Sequence, residues 1–267
     1  MATLLITGAT SGLGRYLAFA CVRAGHVVLA HGRDKARTDA LVDELRAEGR
    51  AEGFVADLAS LGQVRDLGAR VAAAHPELDV LVNNAGVGAG PAGSGRELSA
   101  DGHELRLAVN LLAPVALTRA LLPVLRANSP SRIVNCGSLG QAPLDFDDLD
   151  FAHGYSGTDA YCRAKFAFAA HTFSLSRELA GTGVTVNVIH PATYMDTGMV
   201  REAGIDPWTS VADGATGVIA LATGAAGAES TGRFYDGTRP AQAHAGTYDR
   251  ATQARLDAVL DRLLTAG

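Results

Sequence analysis

The stretch "TLLITGATSGLG", residues 3–14, decides the fold. Its first half is a short β-branched, apolar run that stops at Gly8. Its second half opens an apolar-periodic segment, "RYLAFACVRAG" (15–25), that ends at Gly25. That order predicts strand, glycine turn and helix. Glycine lets the backbone turn sharply and approach a bound group, and the N–H groups at a helix start suit a pyrophosphate. The spacing of Gly8, Gly12 and Gly14 is G-x-x-x-G-x-G rather than G-x-G-x-x-G. Taken alone, such a turn also fits a purely structural role.

The same alternation continues outward. "HVVLAHG" (26–32), "AEGFVADL" (51–58), "LDVLVNNAG" (78–86), "SRIVNCGS" (131–138) and "VTVNVIHP" (184–191) read as buried strands. Between them lie helical patterns at 33–49, 61–76, 105–127 and about 156–180. Strands apolar on both faces, each followed by a helix, call for an α/β fold: an open parallel sheet covered on both sides, with a ligand at its carboxyl edge. After Pro191 the pattern loosens into a partly ordered loop (192–211), then a helix (212–224), a strand (232–237) and a terminal helix (248–264). No linker divides the chain, so one domain over residues 1–267 is expected.

At 267 residues the chain can bury one sizeable core. With 23 basic and 28 acidic residues the formal charge is −5, and no basic block accompanies an aromatic stripe. Nucleic acid is therefore not an expected partner. Cys21, Cys136 and Cys162 form no C-x-x-C pair and no disulfide framework, which suits a reducing, cytoplasmic setting. The N-terminus lacks a signal-peptide pattern, and no stretch is expected to reach the roughly 20 apolar residues of a membrane span.

Several positions carry chemistry. The end of the second strand, "AHGRD", offers no acid for ribose hydroxyls; Arg33 follows Gly32 and can fork onto a 2′-phosphate, which favours NADP, unless it is an ordinary surface cation. Asp57 suits an adenine amino group or a helix cap. "NNAG" (83–86) can leave room for a cofactor, or be a plain turn. Tyr161 and Lys165 stand four positions apart, one helical turn, after Ser138. A phenol with a pKa near 10 needs a neighbouring cation to act as acid or base at a carbonyl oxygen, and a serine hydroxyl can hold that oxygen. Asn110, polar in an apolar helix, is either satisfied structurally or holds a water.

Taken in order, "TGATSGLG", "NNAG", Asn110, Ser138 and "YCRAK" (161–165) resemble the short-chain dehydrogenase/reductase family over about residues 3–200. The resemblance implies a Rossmann-type, doubly wound parallel sheet with helices on both faces. It implies an enzyme that uses NADP(H), with NAD(H) as the alternative, and moves hydride between nicotinamide and a ketone, aldehyde or secondary alcohol. By similarity Tyr161 is the acid/base, Lys165 lowers its pKa and binds the nicotinamide ribose, Ser138 orients the carbonyl and Asn110 holds a relay water. The implied cofactor contacts are Thr7, Gly8, Ser11, Gly12, Leu13, Gly14, Arg33, Asp57, Leu58, Asn84, Ala85, Gly86, Tyr161, Lys165, Pro191 and Thr197. A homodimer or homotetramer is implied too; no metal and no membrane are.

Two departures matter. Ser138 and Tyr161 lie 23 positions apart, and the added residues include "DFDDLD" (145–150). The longer segment resembles the retinol-dehydrogenase-like and WW-domain-oxidoreductase-like branch; it either shapes a pocket or is a solvated acidic loop. Ala192 stands where the family often has glycine, and residues 193–208 are the expected substrate lid, with Met195, Met199, Val200 and Trp208 as its apolar lining or as ordinary core. Cys162 is expected to pack rather than react. The competing readings are a regulatory dinucleotide-binding module and an interaction protein that keeps the fold for assembly.

Overall fold

The computed structural model describes residues 1–265. Among them, eight strands form one sheet: β1 (Thr3–Ile6), β2 (Val27–Gly32), β3 (Ala51–Val55), β4 (Val80–Asn83), β5 (Ser131–Cys136), β6 (Val184–His190), β7 (Phe234–Asp236) and β8 (Arg239–Ala241). Their spatial order is β3-β2-β1-β4-β5-β6-β7-β8. All neighbours pair parallel except β7 and β8, which form an antiparallel hairpin at the edge. The parallel pairs need crossovers, and the helices that make them are α1 (Gly12–Arg23), α2 (Lys35–Arg46), α3 (Leu61–Ala74), α4 and α5 (Leu105–Leu107 and Ala113–Ala127) and α6 (Gly157–Glu178). The last parallel pair, β6 and β7, is joined through α7 (Gly198–Glu202), α8 (Val211–Ala222) and α9 (Ala225–Glu229), and α10 (Arg250–Thr265) follows the sheet.

Burial follows the predicted pattern. Leu4, Leu5 and Ile6 of β1 are fully buried, because one face of the strand meets α1, α2 and α8 and the other meets α3, α5 and α6. Each such side chain stabilises by about 1.5–3 kcal/mol relative to exposure. Helix starts are set by local chemistry: Asp34, Ser60, Ser156 and Ser210 accept first-turn N–H bonds at α2, α3, α6 and α8. Leu256, Leu260 and Leu264 of α10 join the apolar cluster that contains Leu117, Leu121 and Leu125 of α5.

Three features differ from expectation. The segment Leu105–Ala127 is long and apolar enough to cross a membrane, with mean hydropathy 1.7 in its most apolar window; 78% of that window is buried inside the domain, as a core helix requires. The same segment is not one regular helix, since Ala108–Leu112 is a π turn between α4 and α5. The loop after Pro191 contains α7, and a Met195–Thr209 bridge draws its two ends together. The strand order reverses at β1, which pairs with both β2 and β4, so the carboxyl ends of β1 and β4 flank a crevice. This is a doubly wound Rossmann-type sheet.

Candidate active site

The glycine turn between β1 and α1 forms one wall of that crevice. Gly8 has φ +66°, and a Cβ there would meet Ala85 Cα at 2.9 Å. A Cβ on Gly14 would lie 2.2 Å from the Gly8 carbonyl oxygen, so the helix abuts the turn only because residue 14 has no side chain. Ser11 begins α1 without a side-chain capping bond, which leaves first-turn N–H groups for an anion. Thr7 Oγ1 accepts from the N–H groups of Asn84 and Ala85, both at 3.0 Å, and Asn84 Nδ2 donates to the Thr7 carbonyl at 2.8 Å. These bonds tie the turn to the end of β4.

Behind the turn stands His31, which the sequence reading passed over. It is buried, its Nδ1 lies 3.2 Å from the Gly8 N–H nitrogen, and its Nε2 lies 3.0 Å from the Ala56 carbonyl oxygen. Burial pushes its pKa down to about 4, so the ring is neutral at pH 7.

The outer corner comes from β2 and β3. A Cβ on Gly32 would lie 2.4 Å from Thr38 Oγ1 and 2.5 Å from Thr10 Cγ2, so an acid at this position has no room without moving both threonines. Arg33 is exposed beside it. Asp57 does not cap α3, a role taken by Ser60; its Oδ1 accepts from Ala59 N–H at 2.9 Å, and the residue is exposed. Leu13 and Leu58 pack their side chains into the core and offer only main chain to this crevice.

Past the crevice, the end of β5 meets α6. Lys165 is buried and donates from Nζ to the Cys136 carbonyl at 2.9 Å; its Nζ lies 5.8 Å from the centre of the Tyr161 ring. Ser138 Oγ accepts from Gly140 N–H at 3.0 Å, and it shares the space around Gly140 with the Tyr161 ring. A Cβ on Gly86 would lie 2.9 Å from Asn110 Oδ1, 3.7 Å from Lys165 Nζ and 3.8 Å from Met199 Cε, so a bare backbone at residue 86 is what lets these groups converge. A Cβ on Gly140 would lie 3.4 Å from Ser138 Oγ and Cys162 Sγ and 3.8 Å from Tyr161 Cε1, which are ordinary contact distances, so these three side chains surround one spot.

Burial raises the Tyr161 phenol, and the neighbouring Ser138 hydroxyl opposes the shift. Burial also lowers Lys165 to about 8. The ammonium donates to the Cys136 carbonyl and stands 5.8 Å from the centre of the Tyr161 ring.

Asn110 sits in the π turn, where its Oδ1 accepts from Val87 N–H and its Nδ2 donates to the Val87 carbonyl, both at 2.9 Å. Its amide clamps the chain just after "NNAG". Pro191 follows β6 at the same sheet edge. Thr197 reaches the turn, its Cγ2 3.1 Å from a Cβ placed on Gly12. In the expected lid, Met199 lies against Gly86 and Gly88, Met195 packs on the core, and Trp208 rests on Tyr194 with ring centres 5.0 Å apart.

The acidic stretch is occupied by bonds within it and to distant parts of the chain. Asp145 accepts from Asp147 N–H, Asp147 pairs with Arg255, and Asp148 accepts from the N–H groups of Ala152 and His153. Asp150 meets His103 at 3.2 Å and accepts from Glu104 N–H; burial disfavours its charge, but these bonds hold it below the usual carboxylate range. Among the described residues no cluster of His, Cys, Asp or Glu has metal-binding geometry. Beneath the stretch lies a buried pair missed in the sequence, Glu104 and Arg106. Arg106 donates to the carbonyls of Gly88 and Ala89, and Tyr155 bonds to Glu104.

Comparison with known proteins agrees with this geometry. The family model described as short chain dehydrogenase matches residues 2–207. Human retinol dehydrogenase 13 is 37% identical over 209 residues, which cover 76% of this chain and 62% of that protein, so the chain spans less than two thirds of that relative. An uncharacterized protein of known structure from Mycobacterium paratuberculosis superposes with a TM-score of 0.83 at 27% identity, covering 99% of this chain and 94% of its own. The RhlG/NADP active-site complex from Pseudomonas aeruginosa gives 0.73 at 29% identity, covering 88% and 94%.

Proposed function

Because the chain belongs to the short-chain dehydrogenase family, we propose that it is an NADP-preferring oxidoreductase that interconverts a ketone or aldehyde with its alcohol. The observation that carries this reading is the convergence of three side chains where β5 ends against α6: Ser138 Oγ and Tyr161 Cε1 both border Gly140, and buried Lys165 holds its Nζ 5.8 Å from the centre of the Tyr161 ring. The residues present also fit the cofactor: an uncapped α1 start for pyrophosphate, crowding at Gly32 that disfavours an acid, and Arg33 exposed next to it. Relatives crystallised with NADP support the same choice.

When bound, the nicotinamide supplies or accepts the hydride. The chain's own residues handle the proton. Tyr161 gives its phenolic proton to the carbonyl oxygen as the carbon is reduced, Ser138 holds that oxygen by its hydroxyl, and Lys165 supplies the nearby positive charge that favours the phenolate left behind. In the reverse direction the phenolate accepts the alcohol proton. Thr7, Gly8, Ser11, Gly12, Leu13 and Gly14 hold the pyrophosphate side; Arg33, Asp57 and Leu58 the adenosine side; Asn84, Ala85, Gly86, Pro191 and Thr197 the nicotinamide side. Asn110 acts by fixing Val87. Residues 193–208 serve as the lid of a single domain.

Following NADPH oxidation at 340 nm across a panel of carbonyls tests the reading and separates it from a non-catalytic dinucleotide-binding or interaction protein. Arg33→Ala is expected to lower the ratio of NADPH to NADH efficiency by about tenfold, the scale of one lost charge-assisted bond; an unchanged ratio assigns the preference elsewhere. A cytoplasmic setting belongs to the same proposal, since Cys21, Cys136 and Cys162 are all free thiols. So does a homodimer or homotetramer. As α10 already covers α5 and α6, pairing uses another surface, and light scattering should read a multiple of 27.5 kDa rather than the monomer mass.

A further inference from the structure

We propose that His31 is a positioning residue for cofactor binding: its neutral ring fixes the glycine turn in the shape that receives the pyrophosphate. This rests on the NADP reading above. Gly8 N–H can only donate, so Nδ1 of His31 must be the bare nitrogen, and Nε2 carries the proton that goes to the Ala56 carbonyl. Both ring nitrogens are thus committed, and the tautomer is set by the partners. The main chain repeats the linkage, since Ala9 N–H donates to the His31 carbonyl at 2.8 Å and Ala56 N–H to the Gly32 carbonyl at 3.2 Å. One buried side chain therefore ties the ends of three adjacent strands, β1, β2 and β3.

The position of Gly8 propagates. Its φ of +66° is a glycine conformation with two neighbours for the backbone, and its carbonyl oxygen stands where a Cβ of Gly14 would be. A tilt at Gly8 must therefore shift the first turn of α1, whose N–H groups are the proposed anion site. At its other end the ring holds Ala56, which immediately precedes Asp57. His31 itself is 2% exposed and has no path to a ligand, so it acts through the turn. An aliphatic residue of similar size would leave a buried N–H and a buried C=O without partners.

The test is NADPH fluorescence titration of the wild type, His31→Ala, His31→Asn and His31→Gln, with thermal unfolding of each. Asn places an amide oxygen near the position of Nδ1 and can still accept from Gly8; Gln reaches toward Ala56 instead. His31→Ala should weaken NADPH binding by about tenfold or more, the scale of an unpaired buried donor, and His31→Asn should recover most of that loss while His31→Gln does not. A general structural role would lower the unfolding temperature of the Asn and Gln variants without separating their affinities. If His31→Ala does not fold, the Asn–Gln comparison carries the test. Wild-type affinity in His31→Ala, or equal affinities in the Asn and Gln variants, would overturn the proposal while leaving the NADP reading intact. A wild-type chain that does not bind NADPH would overturn both.

Discussion

Replacing Tyr161 with Phe is expected to reduce turnover by about 10²–10⁴-fold, the range for a positioned general acid, while NADPH affinity stays near that of the wild type. The substitution removes one oxygen and keeps the ring, so the packing of α6 against the end of β5 is preserved. What disappears is the proposed proton donor beside the Ser138 hydroxyl. The physical basis of the effect differs from the simplest expectation. Burial holds the Tyr161 phenol above its ordinary pKa, which suits an acid that gives up its proton only to a developing alkoxide. In the oxidising direction the same burial opposes phenolate formation, so activity as a dehydrogenase should rise with pH. A Phe variant that retained most of its turnover would move the acid elsewhere, and a variant that also lost NADPH would show that the ring's role is structural.

The second large effect is on stability. Glu104→Ala should destabilise the chain by about 3–5 kcal/mol, as expected when one partner of a buried ion pair is removed. Glu104 is fully buried and Arg106 is 3% exposed. Glu104 Oε2 accepts from the N–H groups of Arg106 and Leu107 at 2.7 and 2.9 Å, so the carboxylate is a helix cap as well as a counter-charge. Its loss leaves the guanidinium with Glu97, which is solvent-exposed, and two main-chain carbonyls. Those carbonyls belong to Gly88 and Ala89, and the Ala89 oxygen would touch a Cβ on Gly157, the first residue of α6. The pair therefore also buttresses the start of the helix that carries Tyr161. Urea unfolding measures the loss, with Asp147→Ala as the contrast, since the Asp147–Arg255 pair at 3.4 Å is exposed and should be worth little. A loss below about 1 kcal/mol for Glu104→Ala would mean that the pair is solvated or replaced by Glu97.

The two parts of the molecule were not equally readable from the chain. Strand, glycine turn and helix over residues 3–25 are local patterns, and the alternation of strand and helix continued through residue 191 sets the parallel sheet. The spacing of Tyr161 and Lys165 is local as well. What could not be read depends on neighbours far away in sequence. His31 gains its meaning from Gly8 and Ala56, in different loops. The Lys165 ammonium turns to the Cys136 carbonyl, and burial rather than that charge dominates Tyr161, because exposure is a property of the packed sheet. The π turn around Asn110 and the bonds from Asn110 to Val87 join a helix to the end of β4. The apolar run 105–127 was underestimated because Arg106, Asn110 and Arg119 interrupt it, although buried partners satisfy the first two. In "DFDDLD" Asp145 and Asp148 accept from nearby N–H groups, as short acidic side chains readily do, whereas Asp147 and Asp150 pair with Arg255 and His103, partners that only the folded chain brings near.

The most direct test of the central claim is isotopic. NADPH carrying deuterium at nicotinamide C4 is incubated with the chain and the best carbonyl of the panel, and the product alcohol is examined by mass spectrometry and NMR. Deuterium at the carbinol carbon, in wild type and not in Tyr161→Phe, is the predicted result. NADPH that binds but transfers no deuterium to any carbonyl tested would contradict the claim that this crevice is an oxidoreductase active site.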